Sequence, residues 1–458
     1  MNTTVAMALG GWLLLQLGIS VWASRRVATE GDFLVAGHSL GLTLVALSLF
    51  ATWFGAETIM GSTAMVAEEG LAGARADPFG YALTLLLMGF VLAYRMRARG
   101  YLTLGDLLAE RFGRRIEWLG SLILIPSVVT WAGAQLLAFG NILQVMVGID
   151  LTLGITLAAF VVVLYTCLGG ILGDVWTDAI QGAVVILGIV VLFFTVVQLA
   201  GGPATLLANV TPAQWRLVPD GESPWARIEL WAIPILGSLV SQVALSRILA
   251  ARTARIARNA CFVAFAIYLS IGVLPVVIAL AAPQLDVATG SGDNFLPLLA
   301  GELLPGWLYL IFMGALVSAI LSTIDSTLLT VSALLSHNVL IPAFGPFSQR
   351  TRLKLHRGVV VAAGAVAWLI AILGDRILEL VIFADSIGTA GLVVVVVAGL
   401  YSRRGDARAA LATLAVGMVG PFLLGDLVGF DAPWMCTLVV CVVVYFGLSA
   451  RCTSPQAA

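Results

Sequence analysis

One apolar stretch of the chain carries a dense set of hydroxyl side chains: Ser318, Ser322, Thr323, Ser326, Thr327 and Thr330, with Asp325 among them. Thr323, Ser326 and Thr327 stand at i, i+3 and i+4, so a helix puts them on one face. Hydroxyl and carbonyl oxygens are hard ligands and suit a small hard cation. A broken helix would free further carbonyls, and the segment around Ala51 and Phe54 is a candidate for such a break. The same hydroxyls can instead bond back to the carbonyl four residues earlier or to a neighbouring helix. Spacing alone leaves both readings open.

Carboxylates recur at the same apparent depth: Glu57, Asp325 and Asp385 all lie inside apolar segments. A charge at the centre of a membrane helix costs roughly 2.5–3.5 kcal/mol on insertion scales. No Lys or Arg is expected at matching depth. Each acid is therefore expected to be protonated, to bond to carbonyls, or to face a cation or a water-filled cavity. Asp174 and Asp178 fall near the start of another apolar segment, where a solvated position with favourable helix-dipole charge is the simple expectation. Gln135, Asn141 and Gln242 can bind a solute or join helices. There is no paired His, Cys cluster, phosphate loop or nucleophile elbow, and His38, His337 and His356 are scattered. An enzyme and an ATP-driven pump are therefore disfavoured, since nothing would hold a nucleotide or form a catalytic constellation.

The elements that must position these residues follow from composition. Of 458 residues, 60 % are hydrophobic and 11 % charged. Soluble domains carry about 25 % charge, and the mean hydropathy is +1.04. Such a chain uses lipid as its solvent. Thirteen segments are apolar and long enough for spans: roughly 3–23, 42–66, 79–95, 117–147, 153–171, 178–200, 229–249, 260–282, 307–337, 358–373, 377–401, 408–428 and 432–449. The first has no preceding basic residue or clear cleavage site and reads as a true span. The fold class is all-α, a polytopic membrane protein. A net charge of −1 gives no reason to expect nucleic acid. The five cysteines, Cys167, Cys261, Cys436, Cys441 and Cys452, read as small membrane hydrophobes.

Thirteen spans sort 20 of the 24 Lys and Arg residues onto one side, leaving Arg75, Arg216, Arg227 and Arg376 on the other. The positive-inside rule then puts the N-terminus outside and the C-terminus in the cytoplasm. Two segments carry breaks: Ala51-Thr-Trp-Phe-Gly-Ala-Glu57, with Gly61 following, and Trp231-Ala-Ile-Pro-Ile-Leu-Gly237. Paired breaks five spans apart point to an inverted-repeat transporter with a midplane site, although Gly and Pro also merely kink membrane helices. Tyr101–Gly113 reads as an amphipathic surface helix with capping-box-like spacing of Thr103 and Asp106. Residues 201–228 and 283–306 read as polar outer loops, and the tail after Arg451 is short.

Four stretches resemble the sodium:solute symporter family, which includes bacterial sodium/proline and sodium/sugar cotransporters. They are Asp32–Gly41, Tyr101–Gly113, Leu164–Gln181 with its Tyr-Thr-x-x-Gly-Gly and Trp-Thr-Asp-x-x-Gln pattern, and Ser318–Leu329. The resemblance implies a single transporter domain over 1–458. An extra N-terminal helix and loop (1–41) would precede two inverted five-helix repeats, at 42–200 and 229–401, with C-terminal helices at 408–458. It implies Na+ held by carbonyls of Ala51, Phe54 and Thr323 and hydroxyls of Ser326 and Thr327, with Asp178 on the ion's exit path. It places Gln242 on the discontinuous helix near the solute. Trp53 stands where proline transporters carry Asp, Glu57 stands where they carry Trp, and the segment around Asp385 follows neither the proline nor the sugar pattern.

The expected function is sodium-coupled uptake of a small polar solute across a bacterial inner membrane by alternating access. An amino acid such as proline is the first candidate, because buried acids favour a cationic group. Trp53, Glu57, Gln135, Gln242, Asp325 and Asp385 are the candidate solute contacts. The alternative is a membrane sensor that reports solute occupancy to a signalling partner.

Overall fold

The computed structural model describes residues 3–208, 210–281 and 292–449. The expected tail past Arg451, Cys452 and residues 283–291 of the expected outer loop lie outside the described residues. Within them the chain is helical, with no strand and one isolated bridge, Leu40 to Ala251.

The first half comprises α1 (Thr3–Ser24), α2 (Glu30–Val35), α3 (Leu42–Trp53), α4 (Ser62–Glu69), α5 (Tyr81–Met88), α6 (Tyr94–Ala98), α7 (Leu104–Phe112), α8 (Arg114–Val147), α9 (Leu151–Leu199) and α10 (Pro203–Ala208). The second comprises α11 (Pro224–Leu236), α12 (Gln242–Ala250), α13 (Ala254–Ala281), α14 (Phe295–Leu303), α15 (Gly306–Ser332), α16 (Ile341–Phe344), α17 (Gln349–Leu373), α18 (Ile377–Ser386), α19 (Thr389–Tyr401), α20 (Ala407–Phe422) and α21 (Pro433–Ser449). Among the described residues seven helices are long and apolar enough to cross a membrane, and nine if two bent pairs each form one span. Leu42–Trp53, Leu151–Cys167 and Pro433–Ser449 are apolar but shorter. Length and composition alone thus do not reach the expected thirteen.

The shortfall has local causes. The helix α3 stops at Phe54, whose ψ of 66° is not helical, and the chain resumes in a π-helical turn over Glu57–Gly61. At Gly70 the chain takes φ 72° and doubles back, with Gly73 so close to the Met65 backbone that a Cβ would come within 2.4 Å. The helix α9 is bent at Gly170 (φ 57°), where a Cβ would meet the Phe33 ring at 2.8 Å. The pairs α11–α12 and α18–α19 are bent by 45° and 49°. The expected outer loops also contain structure, since α10 and the start of α11 lie within 201–228 and α14 within 283–306.

Four elements meet below the bundle core on the arginine-rich face. Thr103 begins α7, and Asp106 Oδ2 accepts from the amides of Leu102 and Thr103 at 2.7 and 3.0 Å, closing the helix start as the spacing predicts. The histidines do not stay scattered. His337 and His356 both reach Glu30 Oε1, at 2.8 and 3.2 Å, and Arg352 reaches Oε2 at 2.7 Å. His337 also reaches Asp106 Oδ1 at 3.1 Å. Burial would raise Glu30, but the hydrogen bonds from His337, His356 and Arg352 outweigh it and hold its carboxyl well below the usual carboxylate range. Cys167, Cys261, Cys436 and Cys441 are free thiols.

A group held below its ordinary pKa stabilises the fold above that ordinary value and loses the contribution as pH falls through its folded one. Glu30→Gln should therefore cost about 1–3 kcal/mol at neutral pH. The gap in thermal unfolding between variant and wild type should narrow as pH falls below Glu30's ordinary value of 4.5. A gap that widens in acid would contradict this assignment.

Candidate functional site

The interruption of α3 frees backbone groups in an interior without water, so side chains must replace the lost helical bonds. Three other helices supply them. Gln135 of α8 accepts from the Ala56 amide at 3.1 Å, the Tyr268 hydroxyl of α13 lies 3.0 Å from the Trp53 carbonyl, and Thr323 of α15 donates to the Thr52 carbonyl at 2.8 Å. A Cβ at Gly55 would stand 2.5 Å from the Glu57 carboxylate and 3.0 Å from the side-chain oxygens of Gln135 and Thr323, so a substitution there would displace Glu57. The carbonyls of Ala51 and Phe54 meet no side-chain donor among the described residues.

On one side of the break lies a cavity of about 10 Å³ lined by Trp53, Glu57, Tyr81, Trp131, Ser238, Ser241, Val381 and Asp385. That volume holds about one water, so a solute enters only when the lining moves. Glu57 accepts from Trp131 Nε1 at 3.2 Å and from Gln135 Nε2 at 2.6 Å. Asp385 accepts from the Tyr81 and Ser238 hydroxyls at 2.7 and 2.8 Å. Trp53 and Tyr81 pack edge to face at 6.0 Å. No basic side chain lines the cavity. The second break closes its far wall: a Cβ at Gly237 would come within 2.9 Å of the Asp385 carbonyl, and the Pro234 carbonyl that loses its helical partner accepts from Thr84 at 2.7 Å. Behind Trp53, Asp77 is fully buried, with Thr58 at 2.6 Å and Tyr268 at 3.0 Å.

The hydroxyl face of α15 turns the other way. Ser326 donates to the Ser322 carbonyl, four residues earlier, at 2.7 Å, the back-bond weighed as an alternative, and Thr327 donates to the Ile324 carbonyl, three residues earlier, at 2.8 Å. Both hydroxyls are fully buried. Ser326 also meets Asp174 at 3.0 Å and Arg247. Asp178 gathers Ser48 and Thr52 of α3, Ser322 of α15 and, at 3.5 Å, Arg247.

Arg247 corrects two expectations. A basic side chain does lie at depth: Arg247 is wholly buried and paired with Asp174 and Asp178. Those two acids are equally buried rather than solvated at a helix start. The reason is geometric: α12 runs to Ala250 inside the bundle, so a residue that hydropathy assigns to a loop edge points at α9. A buried charge persists only when paired, and two aspartates provide that.

Trp53, Glu57 and Asp385 thus share one cavity, with Gln135 touching Glu57 from behind. Gln242 stands elsewhere, its Oε1 accepting from the Leu104 amide at 2.6 Å. Asp325 is buried on α15 away from the cavity lining, with Oδ1 unpartnered. Tyr81, Trp131, Ser238, Ser241, Asp77 and Arg247 were not singled out. Aromatic residues in apolar spans carry no periodic signal of their own. Asp77 was the detectable one, as an acid at the edge of an apolar span.

A profile of the Sodium:solute symporter family matches residues 33–417. The High-affinity choline transporter 1 of Caenorhabditis elegans is 26 % identical over 453 residues, 90 % of this chain and 76 % of that one. The Sodium/pantothenate symporter of Escherichia coli (strain K12) is 26 % identical over 445 residues, 92 % of this chain and 90 % of that one. In fold, the chain is similar to a Na+-coupled sialic acid symporter in a substrate-bound, outward-open state. The TM-score is 0.86 at 19 % identity, with 99 % of each chain covered.

Tyr268→Phe tests how the break is held. It removes one hydroxyl that serves Trp53, Asp77 and Thr58 and keeps the ring. The loss should be about 1–3 kcal/mol, the cost of leaving buried polar groups unpaired. Tyr445→Phe, whose hydroxyl among the described residues donates to the Arg404 carbonyl alone, at 3.0 Å, should cost less. Equal unfolding temperatures for Tyr268→Phe and wild type in detergent would contradict the reading.

Proposed function

The chain belongs to the sodium:solute symporter family, and we propose that it couples sodium entry to uptake of a small organic cation, with a quaternary ammonium such as choline as the substrate class. It is a membrane transporter and not an enzyme; sodium and a small-molecule solute are what the family moves. The observation that carries the substrate class is the cavity lining: three aromatic side chains, two carboxylates and no basic group. A quaternary ammonium donates no hydrogen bond and is recognised through aromatic faces and diffuse negative charge. Glu57 and Asp385 already accept from Trp131, Gln135, Tyr81 and Ser238, so a charge that a bound cation draws out on them would be held in place without a donor on the solute. An amino acid such as proline would bring a carboxylate to a wall of acids, and anionic solutes would fare worse. The choline transporters among the relatives support the same class.

For sodium, the carbonyls of Ala51, Phe54 and Thr323 and the hydroxyls of Ser326 and Thr327 are the ligands we assign. Sodium there would steady the break that carries Trp53 and Glu57 and so complete the solute site. Asp178 would receive the departing ion, with Arg247 limiting how long it stays. A membrane potential of 100 mV contributes about 2.3 kcal/mol per charge, or roughly 50-fold accumulation per sodium. Rocking of the repeats at 42–200 and 229–401 would alternate access. The arginine-rich face, with the C-terminus, would be cytoplasmic, in a bacterial plasma membrane.

Purified protein in vesicles with an inward sodium gradient should accumulate choline, and not proline or pantothenate. Trp131→Leu should raise half-saturating choline about 10- to 30-fold, the worth of a desolvated cation–π contact. Ser326→Ala and Thr327→Ala should each raise half-saturating sodium about 10- to 100-fold. Accumulation of proline or pantothenate in place of choline would overturn the substrate class. Unchanged sodium dependence in both alanine variants would overturn the ion site.

A further inference from the structure

Two open grooves meet at Tyr401 on the arginine-rich face. The larger, about 680 Å³, runs between α19 and α21, is walled by Val393, Val397, Leu438, Val442 and Phe446, and ends at Arg403 and Arg404. The smaller, about 300 Å³, is walled by Phe90, Tyr94 and Phe262 and ends at Arg95 and Arg258. Tyr401 lines both. It is anchored by a bond from its hydroxyl to the Val91 carbonyl at 2.8 Å, and the Arg95 guanidinium lies 4.0 Å over its ring. Phe90 is 66 % and Phe446 41 % exposed, and at these positions in a membrane-spanning chain exposure is to lipid.

The charges at the groove ends are unmatched. Among the described residues none of Arg95, Arg258, Arg403 and Arg404 meets a carboxylate. Arg95 donates to the Leu400 carbonyl at 3.2 Å and Arg258 to the Asn259 side chain at 3.3 Å. At the other end of the helices the pattern is opposite. Arg75 and Arg227 meet Glu222, Arg216 meets Asp220, and Arg376 meets Glu68. Four unneutralised guanidiniums therefore cap two apolar grooves at a membrane boundary. Guanidinium groups recognise phosphate oxygens through paired N–H bonds, and basic pockets between membrane helices suit anionic lipid headgroups.

We propose that Tyr401 and the four arginines form a site for a phospholipid with two phosphates and four acyl chains, a cardiolipin. One phosphate would sit on Arg403 and Arg404 and the other on Arg95 and Arg258, with the acyl chains laid along the two grooves and continuing into the bilayer. A single-phosphate lipid would fill one groove and leave two guanidiniums unmatched.

Native mass spectrometry of the full chain, titrated with tetraoleoyl cardiolipin, dioleoyl phosphatidylcholine or inorganic phosphate, tests the site. Cardiolipin should bind at one saturable site and raise the unfolding temperature, while phosphatidylcholine and phosphate should do neither. At about 1 kcal/mol per basic residue, each pair of substitutions, R403Q/R404Q or R95Q/R258Q, should weaken cardiolipin about 30-fold. Lipid-free unfolding temperatures equal to wild type establish that these variants are folded. Should R95Q/R258Q not fold, R403Q/R404Q carries the test, because both of its residues are exposed. Unchanged cardiolipin affinity in R403Q/R404Q, equal binding of phosphatidylcholine, or equal protection by phosphate would each overturn the proposal.

Discussion

A helix cannot stop inside a lipid-surrounded core unless something else takes its hydrogen bonds. In this chain α3 stops at Phe54, and the bonds it loses are supplied by Gln135, Tyr268 and Thr323 from three different helices. The break therefore depends on the packing of α8, α13 and α15 around it. Gly55 keeps the break close-packed, since a Cβ there would stand 2.5 Å from the Glu57 carboxylate. The surrounding bends at Gly170, Gly237 and Gly388 allow the remaining helices to pack close to this point.

The break has two faces, and each faces a different chemistry. One presents Trp53 and Glu57 to a cavity closed by Tyr81, Trp131 and Asp385. The other presents Ser48 and Thr52 to Asp178 and the Thr52 carbonyl to Thr323. Two groups of acids lie across a single broken segment: Glu57, Asp77 and Asp385, and Asp174, Asp178 and Asp325. Among the described residues Arg247 is the basic side chain that meets any of them. Ionised, these acids would favour a cation on each face, as the proposed coupling requires. That arrangement makes coupling between an ion and an organic cation physically direct, because both would act on the same few residues of backbone.

Much of this frame was readable in the sequence, and what was not has identifiable causes. The break at Ala51–Glu57 was legible because Gly and a carboxylate interrupt an apolar run. The polar face at Thr323–Thr327 was legible from helical spacing. Glu57 and Asp385 were legible as acids at depth, although nothing in their spacing shows that they share a cavity. Arg247 was misread because hydropathy measures a segment's average. It does not register that α12 continues inward after its bend. Tyr81 and Trp131 were missed because an aromatic residue in an apolar span looks the same whether it faces lipid or a cavity. The network at Glu30 joins residues more than three hundred positions apart, and no local pattern encodes it.

The central claim is that the α3 break carries both ion and solute, so that each stabilises the site of the other. Binding of choline to purified protein, measured by calorimetry across a series of sodium concentrations, tests this most directly. Linkage requires reciprocity: sodium should tighten choline, and choline should tighten sodium by the same factor, about 5- to 150-fold for typical couplings. Choline affinity that is the same in sodium and in its absence would contradict the account.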